Sequence, residues 1–185
     1  HVTNTATQIQ IIEALGGGLP DFAHHSLLTG PQGEGLSKRL GTLALRDLRA
    51  RGVTPEALLS LMARLGSSQP VELRMSLDEI AEGFDLSQFG AAPTKFDVED
   101  LFPLTRHHVQ SLPYSAVRDR IAGLGVPDGL AERFWQVTSQ NITVLDDLAT
   151  WWAICRDGVE QPDFADEDRD FVVQAMAMLP PLPYT

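Results

Sequence analysis

Cysteine is almost absent. Cys155 is the only one in the chain, which excludes an internal disulfide and any cysteine-based zinc site. It lies between Ile154 and Arg156, just after Trp151-Trp152. In that apolar helical stretch it reads as a small buried hydrophobe and not as a reactive thiol. A lone unpaired cysteine also fits a reducing compartment. Long apolar runs are missing too: no stretch approaches the roughly 18 residues that a membrane helix requires. The opening His1-Val2-Thr3-Asn4-Thr5 has neither the positive nor the apolar region of a signal peptide. It also lacks an initiator methionine, so the start of the gene product is expected elsewhere.

Basic residues are few. Fourteen Lys and Arg stand against 25 Asp and Glu, for a net charge of -11, which argues against indiscriminate binding to nucleic acid. Their distribution qualifies that. Lys38, Arg39, Arg46, Arg49 and Arg51 fall in one short run in which Asp47 is the only acid. Such a run is either a solvated helix face or a phosphate-facing strip.

A hydrophobic fraction of 43% is enough for a packed core, and turn residues divide the chain into helices. Thr3 or Thr5 is expected to cap a helix to about Leu15, with Ile9, Ile12 and Leu15 on one face. Gly16-Gly17-Gly18 ends it; following a helix and not a strand, this triplet is no phosphate-binding fingerprint. His24 to Leu28 reads as a short strand and Thr29 to Gly35 as a mobile loop. Thr54-Pro55-Glu56 is a strong helix start, with Leu58, Leu59, Met62 and Leu65 as its apolar stripe and Gly66 as its stop. Ser76-Leu77-Asp78-Glu79 is a capping box, and Phe84 to Thr94 reads as a loop. Asp97 is expected to cap a helix to about Gln110 that Pro103 kinks or delays. Further helices are expected over Tyr114–Leu124, Asp128–Ser139, Thr143–Arg156 and Asp166–Met178. Trp135, Trp151 and Trp152 fall on their apolar faces as core residues. The acids from Asp163 to Asp170 read as a solvated helix start, not a metal site. His24-His25 and His107-His108 are adjacent pairs, which point to different faces and make poor metal ligands.

The fold expected is mainly α: a short α/β remnant over residues 1–40, then an all-helical remainder. A lone helix and strand do not make a stable sheet domain, so further residues are expected before His1.

Two stretches resemble the bacterial class I glutamyl-tRNA synthetases. His1-Val2-Thr3-Asn4-Thr5-Ala6-Thr7-Gln8-Ile9 is similar to the family segment ending Asp-His-x-x-Asn-Thr-x-x-Gln, and continues through Glu13-Ala14-Leu15-Gly16. Gly35-Leu36-Ser37-Lys38-Arg39 resembles the class I signature Lys-Met-Ser-Lys-Ser in its family form Lys-Leu-Ser-Lys-Arg. Their order and spacing match as well. The likeness extends through Pro55–Leu59, Ala63–Gly66, Phe84–Ser87 and Phe96-Asp97 to Arg106-His107, and beyond about Leu112 it is one of helical pattern.

The resemblance implies an enzyme that joins glutamate to ATP, with Mg2+, and passes the glutamyl group to tRNA in the cytoplasm, as a monomer. It implies three parts: the edge of a Rossmann catalytic domain (1–40), a helical stem-contact domain (41–95) and the first part of a helical anticodon-binding domain (96–185). Lys38 corresponds to the second lysine of the signature. A loop lysine closing over the phosphates stabilises the charge that builds there in the transition state. Ser37 is implied to bond phosphate or hold the loop, Arg39 to add a second cation, and Gly35 and Leu36 to line the nucleotide. Arg46, Arg49, Arg51 and Arg106 are implied to face tRNA phosphates. No metal ligand is expected. Three positions depart from the family pattern: Gly35 replaces the first lysine, Ser67 a usual tryptophan, and Pro103 a helix former. The resemblance also implies missing segments on both sides, including the Rossmann half, so the chain alone is expected not to aminoacylate.

Three other readings stand beside it. A glutaminyl-tRNA synthetase would carry β-barrels where helices are expected here. A non-catalytic, synthetase-derived tRNA-binding or adaptor module would lack the upstream half by design. A generic helical interaction domain would carry the signature by chance.

Overall fold

Capping decides where several helices begin. In a computed structural model, which describes residues 2–36, 44–159 and 165–178, α3 (Pro55–Met62) starts where Thr54 Oγ1 accepts the Ala57 N–H at 3.4 Å, with the proline at its first position. Its N–H would have no intrahelical partner there anyway. At α4 (Leu77–Glu82), Ser76 Oγ accepts the Glu79 N–H at 3.2 Å. The Glu79 carboxylate returns to the Met75 N–H at 2.9 Å, one residue before the cap. Asp97 Oδ1 accepts the Glu99 N–H at 3.0 Å and opens a 3-10 turn, Val98–Asp100. That turn runs into α5 (Leu101–Ser111), so Pro103 falls in the first turn of the α-helix and delays it without kinking it.

Before these come α1 (Val2–Ala14), β1 (Leu28–Thr29) and α2 (Leu45–Ala50). After them come β2 (Thr94–Lys95, between α4 and α5), α6 (Tyr114–Gly123), α7 (Asp128–Thr138), α8 (Asp147–Asp157) and α9 (Asp166–Ala177). The helix limits expected from Tyr114 onward agree closely at α6, α7 and α9. Only α8 starts later, because Asp147 Oδ2 accepts the N–H groups of both Thr143 and Val144 and holds them outside the helix.

Two apolar clusters share α5. The first gathers Leu48, Val53, Leu61, Phe96 and Leu101. The second is built around Val109, Val117, Ile121, Trp135, Ile142 and Leu148. Trp135 is buried there, its indole N–H donating to the Leu112 carbonyl at 3.2 Å. Trp151 and Trp152 pack against the cluster half-buried, and Trp152 meets Phe134 edge to face at 5.7 Å. Core roles for all three tryptophans are borne out.

Four expectations are corrected. The first segment is not followed by helices alone: β2 lies inside the stretch read as loop and helix, and pairs in parallel with β1, Leu28 against Thr94 and Thr29 against Lys95. Residues 29–35 form a hydrogen-bonded turn and not an open loop. The buried face of α3 is Ala57, Ser60 and Leu61, while Leu59 and Met62 are exposed and Leu58 and Leu65 are half-buried. The helix is rotated by about one position, roughly 100°, because small residues at 57 and 60 let α3 approach its neighbours closely. Cys155 is exposed, since the side of α8 that meets the core is taken by Leu148, Trp151 and Trp152.

At the start of the chain, α1 buries no residue. Ile9 and Ile12 are half-buried, and Leu15, beyond the helix end, is 81% exposed. Thr3 and Thr5 lie within α1, which begins at Val2. In the acidic stretch, residues 163 and 164 lie outside the described residues, and Asp168 and Asp170 are exposed on α9.

Candidate functional site

The turn that follows β1 is closed by its own backbone. The Gly30 N–H donates to the Glu34 carbonyl at 2.7 Å and the Gly33 N–H to the Gly30 carbonyl at 2.9 Å. The Glu34 carboxylate accepts the Gln32 N–H at 3.0 Å, and Thr29 bridges to Gly35. Glycine at 30, where a Cβ would strike the Glu34 side chain, and at 33, with φ +86, makes so tight a return feasible.

Below this turn the β1–β2 pair fixes its root. The Phe96 N–H donates to the Thr29 carbonyl at 2.8 Å, the Thr94 N–H to the Leu27 carbonyl at 3.2 Å, and the hydroxyls of Ser26 and Thr94 meet at 2.7 Å. Leu36 then packs half-buried onto the Phe96–Leu101 cluster. Leu48 of α2 is buried in the same cluster. Leu36 and Leu48, on either side of residues 37–43, therefore pack on one apolar cluster. Ser37, Lys38 and Arg39 themselves lie outside the described residues; Gly35 is exposed at the turn's end.

The arginines of the basic run divide. Arg46 is exposed, 3.6 Å from Asp47, a surface pair worth little. Arg49 is exposed in the last turn of α2, where a cation suits the helix dipole. Arg51 is engaged at the surface: its guanidinium pairs with Glu99 at 2.8 Å and lies 4.8 Å from the centre of the Phe102 ring. That clasp gives it a role the charge count did not foresee. Arg106 is exposed on α5, and no hydrogen bond or ion pair joins it to the α2 arginines. The structure thus brings Leu36 and Leu48 of α2 to one cluster, with Arg106 exposed on α5.

His107 and His108 part as expected, whereas His24 and His25 are both exposed. His107 is exposed and His108 buried. His108 Nδ1 stands 3.3 Å from Glu56 Oε2, near enough to pair as ions but not aligned as a hydrogen bond, and neither atom has another partner. Sequence reading had no signal for this pair, since Glu56 looked like a dipole-favouring residue alone. Among the described residues no group of three or more His, Cys, Asp or Glu is arranged to hold a metal. Among the described residues no helix is long and apolar enough to cross a membrane.

Residues 1–103 match the family described as "tRNA synthetases class I (E and Q), catalytic domain". Glutamate–tRNA ligase 1 of Paracoccus denitrificans is 74% identical over 185 residues, covering 100% of this chain and 42% of that protein. Glutamate–tRNA ligase 2 of Cereibacter sphaeroides is 71% identical over 184 residues, again 100% of this chain and 42% of the relative. The chain therefore spans 42% of the length of these curated relatives. Among solved structures, a glutamate tRNA ligase from Elizabethkingia meningosepticum in complex with its amino acid superposes with a TM-score of 0.70 at 22% identity. It covers 96% of this chain and 42% of that one. The glutamate–tRNA synthetase of Elizabethkingia anophelis gives 0.69 at 23% identity, covering 97% and 42%. At that identity the likeness is one of fold. Among the described residues after Lys95 there are helices and no strand, which removes the ground for a β-barrel, glutaminyl-type reading.

Proposed function

The chain belongs to the class I tRNA synthetases of the glutamate and glutamine branch, and from that premise we propose that it is part of a glutamate–tRNA ligase that activates glutamate with ATP and transfers it to tRNA. The observation that carries this reading is the whole-chain likeness to the Paracoccus and Cereibacter ligases. Within it, residues 1–40 are the edge of the catalytic domain with the signature loop, 41–95 the stem-contact domain, and 96–185 the first part of the anticodon-binding domain. The working enzyme is a cytoplasmic monomer.

ATP and its Mg2+ enter as substrate, and this chain's own contribution is cationic and positional. Lys38 neutralises charge building on the phosphates as pyrophosphate leaves, a term that costs nothing at the moment of reaction if the lysine is already held in place. Leu36, two residues before it, packs on the same apolar cluster as Leu48. Ser37 and Arg39 add a hydroxyl and a second cation, with Leu36 and the Gly35 backbone beside the nucleotide. Gly35 supplies no ammonium where the family signature has one, so Lys38 and Arg39 bear the charge. Arg46, Arg49 and Arg106 contact tRNA backbone phosphates. Arg51 contacts tRNA phosphates with them and also ties the end of α2 to Glu99 and Phe102.

The test is aminoacylation. In the full-length ligase, Lys38→Ala is expected to lower the rate of glutamate-dependent ATP–pyrophosphate exchange by about 10²–10³, with tRNA affinity unchanged. The 185-residue chain alone is expected to bind tRNA(Glu) transcript without charging it. Glutamylation by that chain, or full exchange activity in Lys38→Ala, overturns the reading.

A further inference from the structure

Gly52 ends the turn after α2, and its bare Cα faces Val144, which lies between α7 and α8. A Cβ built at Gly52 would meet Val144 Cβ at 2.7 Å and Cγ1 at 2.8 Å. Carbon atoms rest at about 3.5–4.0 Å, so any side chain at 52 must push the two regions apart by roughly 1 Å. Gly52 also has φ +80, a conformation that other residues adopt only with strain.

Both sides of this contact are stiff. Toward Gly52, the Gly52 N–H donates to the Arg49 carbonyl and the Val53 N–H to the Leu48 carbonyl, each at 3.0 Å. Val53 is buried, and Arg51 is clasped to Glu99 and Phe102. Toward Val144, the Asp147 carboxylate accepts the N–H groups of residues 143 and 144. Gln110 Nε2 donates to the carbonyls of Gln140 at 3.0 Å and Ile142 at 3.4 Å. The contact joins regions that also share α5, the helix common to both clusters. One helix joining two bodies leaves them free to bend and twist about it. A second, off-axis contact between rigid parts removes that freedom.

We infer that Gly52 and Val144 are a positioning pair: a strut that fixes the stance of the second cluster's helices against α2. This rests on the proposed function for its purpose, since a rigid tRNA touched at two places needs those places held at one separation. Neither residue contacts tRNA.

The lone cysteine makes the test direct. Cys155 on α8 and a second cysteine at Asp78→Cys on α4 carry nitroxide labels, and their separation is read by pulsed electron spin resonance. The native pair is expected to give one narrow distance distribution. Gly52→Ala is expected to displace or broaden it. Val144→Ala, which leaves the backbone at 52 untouched, is expected to broaden it by opening a gap. The size swap Gly52→Ala with Val144→Gly is expected to return the native mean. Affinity for tRNA(Glu) should follow the distances, weakening on the order of tenfold in both single variants and recovering in the swap.

Native distributions in Gly52→Ala and Val144→Ala overturn the strut. If Gly52→Ala does not fold, Val144→Ala decides alone. A swap that fails to restore the mean assigns the effect to φ at 52 and overturns the contact. Altered distances with unchanged tRNA affinity overturn the positioning role. A native chain that binds no tRNA overturns the proposed function instead, and the spin-label distances still judge the strut.

Discussion

The two clusters on α5 are closed by different means. Around Ile121 and Ile142 the work is done by helix faces: α6, α7 and α8 turn their apolar sides inward, and side-chain hydrogen bonds at the border serve chiefly to satisfy buried polar atoms. Around Phe96 and Leu101 the faces of α2, α3 and α5 are joined by a chain that is mostly irregular from Ala63 to Asp100, and polar ties are added to the helix faces. Ser60 Oγ accepts the Arg74 N–H at 2.9 Å, Thr105 Oγ1 accepts the Thr54 N–H at 3.5 Å, and Arg51 clasps Glu99. An apolar face is non-directional and tolerates small displacements, whereas a hydrogen bond to a half-buried backbone group is directional. The region nearer the signature loop is thus the one whose geometry is fixed bond by bond.

Substitutions graded by expected size sharpen that contrast. Ile121→Ala, at a fully buried position, is expected to cost about 2–5 kcal/mol in urea unfolding. A cost under about 1 kcal/mol would mean that the helical cluster collapses freely around the gap. Ser60→Ala removes a hydroxyl that is 1% exposed and orphans the Arg74 N–H. The expected cost is about 1–3 kcal/mol, with hydrogen exchange rising locally at Arg74. Neutral behaviour would dissolve the distinction between the regions. Ser76→Ala unmakes the cap of a six-residue helix and is expected to cost about 1 kcal/mol, seen as fraying of α4 by NMR with no change near Ile121. The smallest effect is expected at Asp85, whose carboxyl is held below its usual value by the Ser87 N–H. With the folded value depressed, its contribution is present in full above the ordinary carboxylate range and fades as pH falls through the lowered value. Asp85→Asn should remove that slope from the acid limb of a stability-versus-pH curve and leave neutral pH nearly unchanged.

What could be read from sequence divides along the same line. The helices after Leu112 carry proline, glycine or acid punctuation beside apolar periodicity, and their limits were legible to within a few residues. So were the Thr54 and Ser76 caps and the opposed faces of His107 and His108. The face of α3 was not. Counting large apolar residues favours Leu58, Leu59 and Met62, whereas close packing against α5 and the Ser60 tie to Arg74 select Ala57, Ser60 and Leu61. Nor was the β1–β2 pair, because Thr29 and Thr94 are 65 residues apart and two-residue strands leave no alternation to find. Of the candidate site, the loop's basic motif was legible by resemblance. The packing of Leu36 and Leu48 on one cluster was not, since that depends on the two meeting in space. Arg51 looked like its neighbours on charge alone; only the positions of Glu99 and Phe102 distinguish it.

The sharing of α5 has a thermodynamic consequence. Leu101 closes one apolar cluster and Val109 the other, so neither can lose its solvent-shielded state without exposing a wall of its neighbour. The amides of α5 should then exchange with deuterium only through the largest opening the molecule undergoes, while α4 and α1 exchange through smaller ones. One helix would make two cores melt as a single cooperative unit.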